Sequence, residues 1–346
     1  MFRKVALILS ILCLPSCFET KKKKRITPSC GVTAPKTVIK PLTCKNDLCI
    51  WPIKKMHTVQ TFIDTHLKQG YKPSDILVIF DVDETLLTSF AEKDYVKKKI
   101  MAHDLFPYLA NSMLIKHIPT SVAQKIVPED IDINKKEELA RYIDPALIDA
   151  ITRKTYAILA DLHKRKLLSA KAIEPHIGQF ITQLHQRGIP TIGLTARGID
   201  MKEVTLNQLK KAGIDLTGYT LYDKDLNLIN KYHGFSKGFI FSTPGAEGFD
   251  KGTILLRFFK EIAYQPHIII FIDDNLHFLE SVQEALAKSY PDMTFDGLWY
   301  HAKLKHEFDK ELADQLVYRL LGKEWWHVDN YYQPARNTEE QEHRNI

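Results

Sequence analysis

Four short apolar runs recur along the chain, and they constrain its fold more than any other feature. They read DILVIF at 75–80, PTIGLT at 190–195, HIIIFID at 267–273 and FDGLWYH at 295–301. Such continuous apolarity is typical of strands that are covered on both faces, as in a parallel sheet. Helical periodicity lies between the runs, at about 171–187, 199–212, 251–264 and 277–289, and also at 57–69 before them. This alternation predicts an α/β fold with a doubly wound, Rossmann-like parallel sheet.

Two stretches interrupt the alternation. Residues 90–170 contain several helical segments but no convincing strand, so we expect a helical cap inserted between the first and second strands. Residues 217–250 are rich in glycine and aromatic residues and indicate a hairpin or a long loop. The α/β core is then predicted at 53–89 and 171–325, with a C-terminal tail at 326–346. The aromatic stretch EWWHVDNYY at 324–332 is expected to pack back on the domain.

The first 17 residues have the features of an export signal. MFRK is basic, and VALILSILCLP is an apolar stretch much shorter than the ~20 residues that a membrane-spanning helix needs. The following Ser16 and Cys17 resemble a bacterial lipobox, in which the cysteine is lipidated, although Pro15 departs from that pattern. We therefore expect an exported protein, either anchored to the membrane by a lipid on Cys17 in the bacterial cell envelope (periplasm or outer membrane) or secreted. Residues 18–52, basic and containing several prolines, are predicted to form an extended tether.

The positive charge of the chain is confined to its N-terminus. The formal net charge is +6, and residues 1–25 alone carry all of it. The remaining residues sum to zero, so the basic pI does not indicate a nucleic-acid partner. Next to a lipid anchor, lysines 21–24 would attract anionic lipid headgroups.

The cysteines suggest an oxidising compartment. All five, Cys13, Cys17, Cys30, Cys44 and Cys49, lie in the first 49 residues, and the rest of the chain has none. A disulfide between Cys44 and Cys49, or between Cys30 and either of them, is compatible with export, and the pairing stays open. A zinc site is not favoured, because no pair of cysteines is separated by two residues.

Polar residues end three of the four predicted strands. Asp81 and Asp83 follow the first, Thr195 ends the second, and Asp273 and Asp274 end the third. In open α/β sheets the ligand crevice lies at the carboxyl ends of the strands, so we expect these side chains to meet. Several carboxylates at one site need a cation, and Mg²⁺ prefers oxygen ligands together with substrate phosphate. The sequence therefore predicts a Mg²⁺ site at this edge of the sheet.

These residues resemble the four motifs of the haloacid dehalogenase (HAD) superfamily. DVDETLL at 81–87 is similar to the first motif, and Thr195 in GLTARG is similar to the second. Lys251 in FDKG and the acidic pair in IDDN, 272–275, are similar to the third and fourth. The resemblance covers about 73–89 and 173–300, and the order of all four motifs makes it specific. With the export signal, the layout is similar to a DUF2608-like exported bacterial branch and to class C acid phosphatases.

The resemblance implies a role for each residue. Asp81 would form an aspartyl-phosphate and Asp83 would be the general acid and base. Thr195, Ala196, Arg197 and Lys251 would bind the substrate phosphoryl group, with Lys231 and Lys237 as alternatives to Lys251. Arg197 either contacts the substrate or pairs with a surface acid. The metal ligands would be drawn from Asp81, Asp83, Asp273 and Asp274, and which member of the 273–274 pair binds directly stays open.

The implied function is a Mg²⁺-dependent phosphatase that hydrolyses small phosphomonoesters under a helical cap of the C1 type. Such a cap closes over a small phosphorylated substrate and excludes solvent. Two alternatives stay open: an exported binding or effector protein that keeps the fold with little catalysis, and a phosphotransferase to an acceptor other than water. His103, His117, His163 and His176 fall at no metal-like spacing and are interpreted as surface or packing residues.

Overall fold

The computed structural model describes residues 40–45, 47–93, 96–117, 139, 141, 143–219, 221–243, 249–301, 308–322 and 325–328. The predicted export signal, most of the predicted tether and residues 329–346 lie outside this part of the chain. Within the described residues, no helix combines the length and the apolarity needed to cross a membrane.

Twelve strands and eight α-helices are described. The strands are β1 (Thr43–Lys45), β2 (Leu48–Ile53), β3 (Ile76–Phe80), β4 (Leu87–Lys93), β5 (Val96–Met101), β6 (Ser169–Ala172), β7 (Thr191–Thr195), β8 (Leu226–Asn227), β9 (His233–Ser236), β10 (Phe239–Ser242), β11 (Ile268–Asp273) and β12 (Thr294–Tyr300). The helices are α1 (His57–Lys68), α2 (Ala102–His117), α3 (Pro145–Lys164), α4 (Ile177–Gln186), α5 (Lys202–Lys211), α6 (Lys251–Glu261), α7 (Leu276–Ser289) and α8 (Lys310–Leu321).

Nine of the strands form one sheet with β3 at its centre. Their order is β1-β2-β12-β11-β3-β7-β10-β9-β8. The pairs from β2 to β10 are parallel, and the outer strands β1, β9 and β8 are antiparallel. Because the chain runs from β3 to β7 on one side and later returns to β11 on the other, the strand order reverses at β3. The carboxyl end of β3 is therefore the switch point where ligands bind in sheets of this kind.

Alternate residues of β3 belong to two separate apolar cores. Ile76, Val78 and Phe80 pack in one cluster with residues of α1, α4 and α5, whereas Leu77 and Ile79 pack in the other with residues of α6 and α7. The sheet is thus covered by helices on both faces, which confirms the predicted doubly wound α/β fold. Each fully buried aliphatic side chain of this kind contributes about 1.5–3 kcal/mol to folding.

The inserted segment contains a sheet as well as helices. Strands β5, β4 and β6 form a three-stranded antiparallel sheet, and α2 and α3 pack together in a third apolar core. The expectation of no strand within 90–170 was wrong. The short strands VKKKIM and SAKA carry too few apolar residues to produce an alternating pattern, so their sequences gave no signal.

The predicted tether was also wrong in its C-terminal part. It contains β1 and β2, and β2 pairs in parallel with β12, from Leu48 opposite Phe295 to Ile53 opposite Tyr300. A disulfide joins Cys44 to Cys49 across the β1–β2 hairpin. The main sheet thus begins before residue 53. Of the disulfides that the sequence left open, Cys44–Cys49 is the one formed.

The C-terminal segment packs on the inserted segment. Ala313 and Val317 of α8 and Val328 are buried in the same apolar core as α2 and α3, and Trp325 and Trp326 pack against it. The described part of the aromatic stretch therefore packs back on the fold, as expected. Predicted as core and tail, α8 and residues 325–328 instead complete the core of the cap, defined here as the described residues of 87–172 together with α8 and 325–328.

Candidate active site

The loop after β3 places Asp81 and Asp83 at the switch point. The backbone N–H of Asp81 donates to the carbonyl oxygen of Ile272 at 2.9 Å, which extends the pairing with β11 by one residue. The chain then turns sharply, with Glu84 at a φ of 54°, a left-handed conformation that is uncommon for residues other than glycine. Both aspartates face the large cavity described below.

Lys251 forms ion pairs with two of the predicted carboxylates, those of Asp81 and Asp273. Its Nζ lies 2.7 Å from Asp81 Oδ1 and 2.7 Å from Asp273 Oδ2, and its side chain is completely buried. The ring of Phe278 lies against the same ammonium, with 4.4 Å from Nζ to the ring centroid. Burial alone would lower the pKa of Lys251, but Asp273 and Asp81 raise it above its ordinary value. Lys251 therefore stays charged at this position.

The start of α6 fixes the position of Lys251. Asp250 is the N-cap, and its side chain accepts a hydrogen bond from the backbone N–H of Thr253 at 2.7 Å. Of the alternative lysines, Lys231 lies over the ring of Tyr232 and Lys237 occupies the turn between β9 and β10. The structure therefore brings Lys251, rather than these two, to the carboxylates.

Asp81, Asp273 and Asp274 form a carboxylate cluster. One oxygen atom from each lies within 4.8 Å of the others. Asp273 also accepts a hydrogen bond from the backbone N–H of Asn275 at 2.8 Å, and the indole N–H of Trp299 donates to the carbonyl oxygen of Asp274 at 2.8 Å. These two bonds hold the turn that presents the acidic pair at the end of β11.

The cluster has more negative charge than Lys251 can balance. Burial raises the pKa of Asp81 to about 7, and burial and the neighbouring carboxylates raise the pKa of Asp274 well above its ordinary value. An added cation would lower both values by favouring the ionised forms. Because every donor in the cluster is a carboxylate oxygen, the set suits a hard divalent ion such as Mg²⁺. Asp81, Asp273 and Asp274 are therefore the residues that could hold it.

Asp83 lies outside that cluster and pairs with Arg197. Arg197 Nη2 donates to Asp83 Oδ1 at 2.7 Å and Nε donates to Oδ2 at 2.8 Å, so the pair is bidentate. Burial would raise the pKa of Asp83, but the charge and hydrogen bonds of Arg197 outweigh it and hold that pKa below its ordinary value. Arg197 thus pairs with an acid of the site rather than with a surface acid, and since it also lines the cavity, its contact with substrate stays a prediction.

Thr195 and Ala196 follow β7 beside this pair. Thr195 is fully buried, and its Oγ1 accepts the backbone N–H of Arg197 at 3.1 Å. Its carbonyl oxygen accepts a hydrogen bond from Ser242 Oγ at 2.8 Å. Ala196 lines the cavity, whereas Thr195 is not among the described residues that do. In this structure the hydroxyl of Thr195 therefore shapes the turn to Arg197.

A cavity of about 840 Å³ lies between the sheet edge and the cap. From the core it is lined by acidic and polar residues, among them Asp81, Asp83, Asp274, Arg197 and Asn275. From the cap it is lined largely by apolar side chains, among them Ala102, Phe106, Pro107, Ala157 and Ala160. The arrangement offers a charged floor for an anionic group and a mainly apolar wall for the group attached to it.

Two lining residues on α3 were not found from the sequence as site residues. Tyr156 and His163 both line the cavity, and His163 was interpreted as a surface or packing residue. Residues 156, 160 and 163 share one face of α3, because spacings of three and four residues repeat around a helix. The sequence shows that spacing but not which face of the helix meets the sheet edge.

The comparisons with known proteins give a family and a weak structural likeness. The family model described as "Protein of unknown function (DUF2608)" matches residues 137–330, a range that contains Thr195, Lys251 and the 273–274 pair but begins after Asp81 and Asp83. No curated protein matches the chain in sequence. A solved haloacid dehalogenase-like family hydrolase from Streptococcus pneumoniae is 14% identical, with a TM-score of 0.33, over 64% of this chain and 94% of that one. Because the family model spans more than half of the sequence, this chain belongs to the DUF2608 family.

Proposed function

We propose that this chain is a Mg²⁺-dependent phosphatase of the HAD type that hydrolyses small phosphomonoesters through an aspartyl-phosphate on Asp81. The observation that carries this proposal is the convergence of Asp81, Lys251, Asp273 and Asp274 at the switch point of the sheet. Asp83 stands two residues from Asp81 and faces the same cavity. A nucleophile, a cation site and a second carboxylate are thus within reach of one bound phosphate.

The first chemical step transfers the phosphoryl group to Asp81. A carboxylate oxygen of Asp81 attacks phosphorus, the new O–P bond forms, and the bond from phosphorus to the leaving oxygen breaks. Protonated Asp83 gives its proton to that leaving oxygen, which departs as an alcohol. Lys251 favours the ionised form of Asp81 and orients it, since its Nζ holds one oxygen of the carboxylate. When bound, Mg²⁺ would neutralise charge on the carboxylates and on the phosphoryl oxygens.

The second step releases phosphate and resets the site. Ionised Asp83 takes a proton from water, the water oxygen attacks phosphorus, and the O–P bond to Asp81 breaks. Asp81 is again a carboxylate, and Asp83 again holds the proton needed for the next turnover. The pair with Arg197 favours ionised Asp83, which is the form required here, and Asp83 must leave Arg197 to act as an acid in the first step.

Turnover of p-nitrophenyl phosphate tests this function directly. We expect the wild type to release p-nitrophenol only with Mg²⁺, and Asp81→Asn to lose at least about a thousandfold in kcat, since a neutral amide cannot attack phosphorus. Asp64→Asn is the matched control, because Asp64 is a partly exposed carboxylate that pairs with Arg187 outside the site. Turnover that survives both EDTA and Asp81→Asn would refute the mechanism.

Export with a lipid on Cys17 is the second part of what we propose. The Cys44–Cys49 disulfide supports it, because disulfides persist in oxidising compartments. In a bacterial host, the full chain should incorporate labelled palmitate, and Cys17→Ser should abolish that label. Export without any lipid label would leave only the secreted alternative.

A further inference from the structure

A chain of hydrogen bonds connects Asp83 in the core to His163 on the cap helix α3. Arg197 holds Asp83, and its Nη1 also donates to Gln208 Oε1 at 2.6 Å. A guanidinium group can only donate hydrogen bonds, so the amide oxygen of Gln208 must face Arg197. The amide nitrogen then faces His163, where Nε2 lies 3.0 Å from Nδ1. Because that amide nitrogen donates, His163 Nδ1 must accept.

This geometry fixes the protonation of His163. An imidazole that accepts at Nδ1 is neutral and carries its proton on Nε2. The surroundings favour the same state, since burial and the nearby Arg197 lower the pKa of His163 to about 4. His163 is thus a neutral hydrogen-bond donor at Nε2 across the physiological pH range.

The Nε2–H group of His163 has no protein partner among the described residues. The side chain is 6% exposed and lines the cavity, and its one hydrogen bond is the bond from Gln208 to Nδ1. Because His163 lines the open cavity and its Nε2 is not among the buried unsatisfied atoms of the described residues, water can reach this donor. A ligand that displaces the water must supply an acceptor or leave the donor unpaired, which costs about 1–3 kcal/mol, so the donor favours a ligand with an oxygen at this place.

The rest of the cap wall indicates what that ligand looks like. Phe106 and Tyr156 pack with their ring centroids 4.8 Å apart, and both line the cavity with Ala160. Apart from Arg153, which also lines the cavity from α3, this wall favours an apolar body, whereas the charged floor at Asp81 and Asp274 is suited to a phosphate with its metal ion. His163 adds one directed donor on the same helix face as Tyr156 and Ala160.

Building on the proposed function, we propose that His163 binds an acceptor oxygen on the leaving group of an apolar, ring-sized phosphomonoester. Gln208 is the positioning residue, because its amide fixes which ring nitrogen of His163 faces the cavity. His163 is then a specificity-determining residue of the cap: it distinguishes leaving groups that carry an oxygen from those of the same shape that do not.

Matched pairs of esters test this inference. The 2-, 3- and 4-methoxyphenyl phosphates differ from the corresponding ethylphenyl phosphates by an oxygen in place of a methylene group, so each pair has nearly the same shape. With the wild type, we expect kcat/KM to be about three- to tenfold higher for the methoxy ester in at least one pair, as one hydrogen bond allows. His163→Phe should bring that ratio close to one. His277→Phe, at an exposed histidine outside the cavity, should leave it unchanged.

The outcomes separate this inference from the proposed function. If the wild type hydrolyses the esters but shows no preference in any pair, or if His163→Phe keeps the preference, the inference is overturned and the phosphatase stands. If the wild type hydrolyses p-nitrophenyl phosphate but none of the six esters, the inference is overturned and the phosphatase stands; if it hydrolyses neither, the proposed function fails and the inference fails with it.

A measurement on the wild type removes the dependence on a variant that folds poorly. Nitrogen-15 NMR of histidine-labelled protein at pH 7 reports which ring nitrogen is protonated. We expect the His163 ring signals, assigned in the wild type by their correlation with the His163 backbone, to show a protonated Nε2 and a bare Nδ1. A proton on Nδ1, alone or in an imidazolium ion, would overturn the inference.

Discussion

At the scale of single residues, Lys251 determines whether the carboxylate cluster is tolerated in the fold. Its side chain is fully buried between Asp81 and Asp273, Asp273 is fully buried as well, and only Asp81 keeps a small exposed face, toward the cavity. A buried ion pair contributes little net stability relative to an apolar replacement of the whole pair, but removing one partner leaves an uncompensated charge. The cost of losing Lys251 should therefore far exceed that of losing a surface lysine.

Lys251→Met should lower the free energy of unfolding by about 3–5 kcal/mol at pH 7. The carboxyls of Asp81 and Asp273 already have raised pKa values through burial, and loss of the ammonium raises them further. These carboxyls bind protons at a higher pH in the folded protein than in the unfolded chain. Lowering the pH from 7 to 5 neutralises them, so the stability lost in Lys251→Met should be smaller at pH 5. Urea unfolding at both pH values measures this.

Lys260→Met provides the control, because Lys260 is exposed on the same helix. It should change the free energy of unfolding by less than about 0.5 kcal/mol at either pH. A Lys251→Met variant as stable as the wild type at pH 7 would contradict the account of the buried pair.

At the scale of elements, the close approach of α6 to α7 places Lys251. Gly252 allows this approach, because a Cβ added there would lie 2.4 Å from the carbonyl oxygen of Ser281 and 2.7 Å from Ala285 Cβ. The first of these contacts is with backbone, which cannot rotate away. The helix that carries Lys251 therefore cannot keep its position if residue 252 has a side chain.

Gly252→Ala should lower the free energy of unfolding by about 1–3 kcal/mol through overpacking. This loss outweighs the gain of up to ~1 kcal/mol that alanine offers over glycine within a helix. It should also reduce kcat, since Lys251 moves with the helix. Thermal unfolding and steady-state kinetics measure the two effects, with Thr253→Ala on the exposed side of α6 as the control. A Gly252→Ala variant with wild-type stability would contradict this account.

The elements around the site could be predicted from sequence to different extents. Strands β3, β7, β11 and β12 are continuous apolar runs, because both of their faces are buried, and the carboxyl ends of the first three carry the candidate acids and Thr195. Strands β4, β5 and β6 were not predicted. A small antiparallel sheet does not require apolar residues on both faces, so its strands lack the continuous apolar runs that marked the others. Gln208 and His163 gave no signal either, since their roles depend on which faces of α5 and α3 meet, and that is a tertiary property.

At the scale of the whole molecule, distant parts of the chain complete both the sheet and the cap. β2, near the N-terminal end of the described chain, pairs with β12 near its C-terminal end, and α8 contributes to the core of the cap. Neither connection was visible in the sequence: the prolines near β2 resembled a tether, and α8 lies within the range predicted as α/β core. Only the assembled fold shows that these segments are parts of it.

Replacing the disulfide should loosen one edge of the sheet without affecting the site. Cys44 and Cys49 close a short loop across the β1–β2 hairpin, so Cys44→Ser with Cys49→Ser should cost about 2 kcal/mol or less in unfolding free energy. Hydrogen exchange should speed up in β1 and β2, while turnover at saturating substrate stays unchanged. Cys30→Ser is the control and should alter neither. A loss of turnover in the double variant would mean that the edge and the site are coupled.

The covalent intermediate on Asp81 is the most direct test of the proposed chemistry. Borohydride added during turnover of a phosphomonoester with Mg²⁺ reduces an aspartyl-phosphate to homoserine, which peptide mass spectrometry locates by its change in mass. We predict homoserine at position 81, absent when either Mg²⁺ or substrate is omitted. Homoserine at Asp83, Asp273 or Asp274 instead, or at no position while turnover proceeds, would contradict the assignment of Asp81 as the nucleophile.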